Sequence, residues 1–165
     1  MRREEKDIEK ISYAAFILDL TNQVYKQSND NNLYTLLISA LTKINENFNP
    51  LIITNIIELK YLEYLGVMPS LDGCVVCGRK NVVTLSSDKG GYLCSKCHTN
   101  EPITSEKAIK LVRMYTLVDI DKISKLDLSS DVVYEVNTFI DDYYDRYTGL
   151  YLKSKSFLKN LKNLK

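Results

Sequence analysis

All four cysteines of the 165-residue chain, Cys74, Cys77, Cys94 and Cys97, fall in one C-x2-C-x16-C-x2-C array. Each C-x-x-C pair can place two thiolates on one ion, and a 16-residue spacer suits a hairpin that returns the second pair to complete a tetrahedron. Zinc is the expected ion, with four-thiolate iron left open by spacing alone. Two disulfides are the third reading, but a chain of this size with 45% hydrophobic residues needs no such staples. A site closed by four cysteines has no open position for water or substrate, so the metal is expected to be structural.

The neighbouring residues fit a zinc ribbon. Gly78 follows the second cysteine, where the chain must turn sharply. Val82, Val83 and Leu85 read as one short strand and Tyr92 with Leu93 as its return, the turn between them running from Ser86 to Gly91. So few apolar side chains are not expected to hold about thirty residues by burial. The metal would do it, at roughly 10 to 16 kcal/mol in isolated zinc peptides. His98, the single histidine, follows Cys97 and is read as a solvent-facing neighbour rather than a fifth ligand.

The remainder reads as helix, giving a mainly α fold of about six helices. Ile8, Ile11, Ala15 and Leu18 recur at steps of three and four in a helix over about residues 4–28. Asn31 or Asn32 can cap a second, with Leu33, Leu36, Leu37, Ala40, Leu41, Ile44 and Phe48 on one side. Pro50 opens a third, carrying Ile53, Ile56, Ile57, Tyr61 and Tyr64, and Gly66 ends it. Beyond Pro102, Thr104 or Ser105 starts a helix that buries Ala108, Leu111, Val112 and Tyr115. A helical stretch near 120–126 leads to Ser129-Ser130, which caps a helix with Val132, Val133, Val136, Ile140, Tyr143, Tyr144 and Tyr147 inward and Gly149 at its end. Ser154 can cap a last helix whose apolar side is Phe157, Leu158, Leu161 and Leu164. The expected organisation is one helical domain over 1–165 with the ribbon, 71–99, inserted. No run approaches 18 apolar residues, so no membrane span is expected.

The formal charge of +1 conceals a pattern. Lys153, Lys155, Lys159, Lys162 and Lys165 crowd the last segment without an acid, and the ribbon carries Arg79, Lys80, Lys89 and Lys96 against Asp72 and Asp88. Such zones can bind nucleic-acid phosphates by releasing counterions, or can be no more than a solvated face. Arg79, Lys80, Lys89, Lys96, Lys153, Lys155 and Lys159 are the candidate nucleic-acid contacts. Phosphate-binding glycine loops, nucleophile elbows and H-E-x-x-H are missing, and Asp141, Asp142 and Asp145 read as a solvated helix face. Catalysis is not expected.

Together these residues resemble the RecO family. The likeness rests on Tyr64-Leu65-Gly66-Val67-Met68-Pro69 leading through Leu71-Asp72 to Cys74-Val75-Val76-Cys77-Gly78, on Gly90-Gly91-Tyr92-Leu93-Cys94, and on Leu152-Lys153-Ser154-Lys155-Ser156-Phe157-Leu158. The cysteine array alone is shared with the lid of some adenylate kinases, which need a P-loop that this chain lacks. RecO proteins begin with an OB-fold of about eighty residues; the chain resembles the carboxy-terminal part that follows it.

The resemblance implies a recombination mediator of the RecF pathway in the bacterial cytoplasm, associated with the nucleoid. Its implied partners are single- and double-stranded DNA, RecR, the C-terminal tail of single-stranded DNA-binding protein and, indirectly, RecA, with one structural Zn2+ and no membrane. Auxiliary DNA contacts and docking of the tail are the roles expected of the helical part. The alternative is a protein-docking ribbon module that does not touch DNA.

Overall fold

Six α-helices and one hairpin follow one another among the described residues: α1 (Arg3–Ser28), α2 (Asn32–Asn45), α3 (Pro50–Tyr64), β1 (Val82–Ser86), β2 (Gly91–Cys94), α4 (Glu106–Leu117), α5 (Ser130–Tyr147) and α6 (Lys153–Asn163). The computed structural model describes residues 2–163, with side chains through residue 160. The side chains of Leu161 and Lys162, and Leu164 and Lys165 altogether, lie outside the described residues.

The centre of the fold is α3. Asn49 caps it, its side-chain oxygen accepting the amides of Leu51 at 3.0 Å and Ile52 at 3.4 Å, and Pro50 occupies the first helical position, where its missing N–H costs nothing. Gly66, at φ +71°, follows its end in the left-handed region. Between them every residue from Leu51 to Leu59 is buried, with Tyr61 and Leu62. A helix apolar all round must be enclosed, and α1, α2, α4 and α5 all pack on it. Tyr61 is fully buried, yet its hydroxyl is satisfied by Thr21 Oγ1 at 2.8 Å and the Leu33 carbonyl at 3.3 Å.

The stripes expected for α2 and α4 are those that the fold buries: Leu33, Leu37, Ala40 and Ile44 in one, Ala108, Leu111, Val112 and Tyr115 in the other. Ser105 caps α4 by accepting the Ala108 amide. At the start of α2 the cap oxygen belongs to Asp30, which accepts from Asn32, not to an asparagine. The helical stretch near 120–126 shrinks to a single 3-10 turn, Ile120–Lys122.

α1 reverses the expectation. Ile8, Ile11 and Leu18 are 52%, 68% and 50% exposed, whereas Tyr13, Phe16, Ile17, Leu20 and Val24 are buried. Both sets recur at helical spacing on opposite sides, so period alone does not choose between them. The chosen side carries two aromatic rings and the Thr21 hydroxyl that completes Tyr61. In α6 the apolar side is similarly split, Leu158 buried and Phe157 54% exposed.

The hairpin pairs antiparallel, with Thr84 opposite Leu93, Leu85 opposite Tyr92 and Ser86 opposite Gly91, and an irregularity between Val82 and Thr84. Ser70 bridges to Gly91 alongside, where a Cβ on residue 91 would overlap the Ser70 carbonyl. Burial contributes more to the ribbon than its composition suggested. Leu71 and Tyr92 belong to the main core, with Val82 and Leu85 packed against it.

Substitution of the two isoleucines of α1 separates its faces. Ile17→Ala is expected to cost about 2 to 5 kcal/mol in urea denaturation, and Ile11→Ala less than about 0.5 kcal/mol.

Candidate metal centre

The two cysteine knuckles close in the same way. In the first, Gly78 N–H donates to Cys74 O and Cys74 N–H to Arg79 O, both at 2.8 Å, with Gly78 at φ +76° making the turn. In the second, His98 N–H donates to Cys94 O at 2.9 Å. Pairing of Val82 with Cys94 brings the knuckles to one end of the hairpin. The ligand sulfurs of Cys74, Cys77, Cys94 and Cys97 then lie within 4.8 Å of one another. Sulfurs at the vertices of a tetrahedron with bonds of about 2.3 Å are roughly 3.8 Å apart, and Cys77 Sγ is 3.6 Å from Cys94 Sγ. All four thiols are free rather than joined in disulfide pairs.

The electrostatics suit a cation. Burial opposes ionisation of Cys74, but hydrogen bonds from the backbone of Cys94, Cys77 and Val76 outweigh it and bring the thiol down to about 6. Cys94 is lowered too, burial again being outweighed by the backbone at Cys97 and Lys96. Cys97 is pushed up to about 12, first by its hydrogen bond with Cys77 and then by burial. Four sulfurs so close can all be thiolates only with a positive ion between them, and these four cysteines could hold one. The ion would supply a cross-link between the two knuckles, and four sulfur donors leave no position for a reacting water. His98 stands apart from the donor set, its ring nitrogen bonded to the Glu101 carbonyl. Half-buried, it closes the loop beyond the second knuckle rather than facing solvent.

The ribbon is seated on the helical body at three places. Arg113 of α4 donates to Leu71 O at 2.7 Å and Asp72 Oδ1 at 2.8 Å. Tyr92 OH donates to Ile109 O, and Thr104 Oγ1 accepts the Leu85 amide at 2.9 Å. At the far end Tyr147 OH donates to the carbonyls of Ser87 and Asp88 at 2.6 and 3.0 Å. Tyr147, expected inward, is therefore a surface residue of α5 covering the turn. Asp142 accepts from Ser87 and Arg146 instead of standing free in solvent.

Six of the seven candidate nucleic-acid contacts fall into three groups. Arg79, Lys80 and Lys96 sit on the two knuckles, exposed, and none has an ion-pair partner among the described residues; Lys80 donates to the Asp72 carbonyl at 2.6 Å. Exposed Val75 and Val76 lie on the first knuckle with them. Lys89 is at the opposite end of the hairpin, 3.5 Å from Asp88. Lys153 and Lys159 are exposed on α6.

Lys155 joins none of these surfaces. Its ammonium lies 2.5 Å from both Glu58 Oε1 and Asp141 Oδ1 and over the rings of Phe16 and Tyr144 at 5.4 and 5.3 Å. It ties α6 to α1, α3 and α5. Asp141 is correspondingly turned inward, not solvated. The signal for this clasp was Glu58, the one acid within the apolar run of α3, which demands a cation when buried. Burial disfavours the Lys155 ammonium, but Glu58 and Asp141 reverse the effect and raise its pKa.

A second surface feature lies at the end of α4. Met114, Leu117 and Val118 line a shallow apolar groove of about 420 Å³ bordered by Lys110 and Arg113. The sequence gives no spacing signal for it, because the same residues alternate with the buried stripe.

A small helical domain, with a four-cysteine hairpin stapled between its third and fourth helices, is the class of protein these features define. Among the described residues no helix is long and apolar enough to cross a membrane. Residues 5–156 match the family described as Recombination protein O C terminal, and the chain belongs to that family. It is 32% identical to the DNA repair protein RecO of Bacillus pumilus, over 100% of this chain and 66% of the relative. The corresponding values are 33%, 99% and 66% for that of Halalkalibacterium halodurans, and 32%, 95% and 64% for that of Listeria monocytogenes serotype 4b. The chain thus spans somewhat less than two thirds of the length of these relatives.

Elemental analysis is expected to find one metal ion per chain, lost in Cys77→Ser. Chelation should loosen residues 74–98 in hydrogen exchange while far-UV circular dichroism keeps most of its helical signal, since the helical core does not depend on the ion. Lys155→Met takes the shared cation away from Glu58 and Asp141 and is expected to cost about 3 kcal/mol. A raised lysine pKa contributes stability below the unfolded-state value, and this is lost only as pH climbs through the folded one. The deficit of the variant in thermal denaturation should therefore be level between about pH 6 and about pH 9.

Proposed function

We propose that this chain acts as the carboxy-terminal part of a DNA repair and recombination mediator of the RecF pathway, a non-catalytic protein of the bacterial cytoplasm and nucleoid. Its ion is Zn2+, one per chain and structural. The domain gives auxiliary contacts to single- and double-stranded DNA, supporting strand annealing and RecA loading in concert with RecR. The observation that carries the reading is the convergence of Arg79, Lys80 and Lys96 on one end of the ribbon, where no carboxylate among the described residues pairs with them. Neutralised phosphates release counterions, so such a tip binds nucleic acid with a salt dependence set by the number of contacts. Lys153 and Lys159 on α6 are secondary contacts.

The apolar groove at the end of α4 favours a second role, docking of the C-terminal tail of single-stranded DNA-binding protein. An acidic peptide ending in an aromatic residue would place its ring on Met114 and Leu117 and its carboxylates toward Lys110 and Arg113. In the alternative reading this docking is the whole function and the knuckles touch no DNA.

Fluorescence anisotropy with a labelled oligonucleotide distinguishes the readings. Binding should weaken steeply with salt, and Arg79→Ala with Lys96→Ala should lower the slope of log K against log salt by about 1 to 2, whereas Lys155→Met should leave it unchanged. No binding at low salt, together with capture of an acidic peptide that Leu117→Asp abolishes, would leave the docking role alone.

A further inference from the structure

The four sulfurs of the metal centre are not equally sheltered. Cys74 and Cys94 are buried and Cys97 is half-buried, whereas Cys77 is exposed. Main-chain hydrogen bonds also reach the two buried sulfurs, which steadies their charge and blunts them as nucleophiles. Cys77 stands beside Val76, itself 64% exposed, on the knuckle that carries Arg79 and Lys80, with Lys96 on the other knuckle. None of these cations has an ion-pair partner among the described residues. A solvent-accessible thiolate among unpaired cations is the setting in which cysteines react. Cys94 Sγ is in contact with Cys77 Sγ at 3.6 Å. The array holds every cysteine of the chain, so a sulfur oxidised here can be resolved within the chain only by another member of it.

We propose that Cys77 is a peroxide-sensitive position of the centre, oxidised first and then joined to Cys94 in a disulfide that discharges the ion. The oxidant is hydrogen peroxide. The Cys77 thiolate attacks one peroxide oxygen; an S–O bond forms, the O–O bond breaks, and hydroxide leaves with the electron pair, giving a sulfenic acid. The Cys94 thiolate then attacks the Cys77 sulfur and expels a second hydroxide as the S–S bond forms. Two thiolates lose two electrons in all, and one peroxide becomes two hydroxides. A disulfide of about 2.05 Å requires this pair to close by roughly 1.5 Å, a movement open to the exposed Cys77 side chain. Cys74 and Cys97 remain as two donors where the ion needs four. The change stays local, because Leu71 and Tyr92 in the main core and the bonds from Arg113 and Tyr147 hold the hairpin on the body without the ion. Oxidation thus exchanges a four-point tether of the two knuckles for a single link, and so alters how firmly Arg79, Lys80 and Lys96 are held.

The inference rests on the four cysteines holding a structural ion, and one titration of the full chain with hydrogen peroxide tests the two separately. Metal content is measured beforehand, released ion is followed with a chromogenic chelator, sulfenic acid is trapped with dimedone, and disulfides are mapped by mass spectrometry without reduction. One ion should be lost for each Cys77–Cys94 disulfide formed, with the dimedone adduct on Cys77. Dithiothreitol with added metal should reverse the loss. Hydrogen exchange over residues 74–98 should be faster in the oxidised chain than in the metal-bound one, yet slower than after chelation, while the far-UV circular dichroism of the helices is kept. Met114, 46% exposed, is the internal standard. Conversion of Met114 to its sulfoxide before any ion is released would overturn the proposal. So would a first adduct on another cysteine, a disulfide within one knuckle, or one between two copies of the chain. A chain with no ion before peroxide would overturn the reading of the centre and the proposal with it, whereas an ion that resists peroxide would overturn the proposal alone.

Discussion

Enclosure of α3 is the constraint on which the rest of the structure depends. Its buried run from Leu51 to Leu62 gains from contact with neighbours on every side, and four other helices take up positions around it. Glu58 sits in the same run and cannot be left as an isolated buried charge. The fold resolves this by drawing in Lys155 from about a hundred residues further along the chain. A lysine-rich terminal helix that has little apolar surface of its own is thereby fixed to the body.

The ribbon shows how metal and core divide a task. Its knuckle end has only a small apolar cluster of Leu93 with Cys74 and Cys94, and there a bound ion would supply the cohesion. Its other parts borrow from the helices, through Leu71 and Tyr92 in the main core and through hydrogen bonds from Arg113 and Tyr147. The exposed cations at the tip are thus held at a fixed place on a rigid support. That is the geometry a sequence-tolerant contact with phosphate needs.

Much of this was legible in the residues. The cysteine spacing, the hairpin between its pairs, the stripes of α2 and α4, that of α5 as far as Tyr144, and the ends of α3 at Pro50 and Gly66 each rest on a local rule that tertiary context did not override. The inner face of α1 was not legible, because Tyr13, Phe16, Ile17 and Leu20 compete with Ile8, Ile11, Ala15 and Leu18 at the same period. The role of Lys155 was hidden for a different reason. A lysine among lysines looks solvated until its distant carboxylates are known, and only the oddity of Glu58 in an apolar run hinted at them. Separating Lys89 from the other cations of the ribbon likewise needed the hairpin's two ends to be told apart.

The seat of the ribbon is made largely from main-chain oxygens. Arg113 reaches Leu71 O, Tyr92 reaches Ile109 O, and Tyr147 reaches Ser87 O and Asp88 O. A carbonyl is present whatever side chain its residue bears. The side chains at positions 72, 87 and 88 add bonds to Arg113, Asp142 and Arg146, but a change of residue there would leave the main-chain part of the seat in place. Descendants of this fold can retune what the ribbon touches while keeping where it stands.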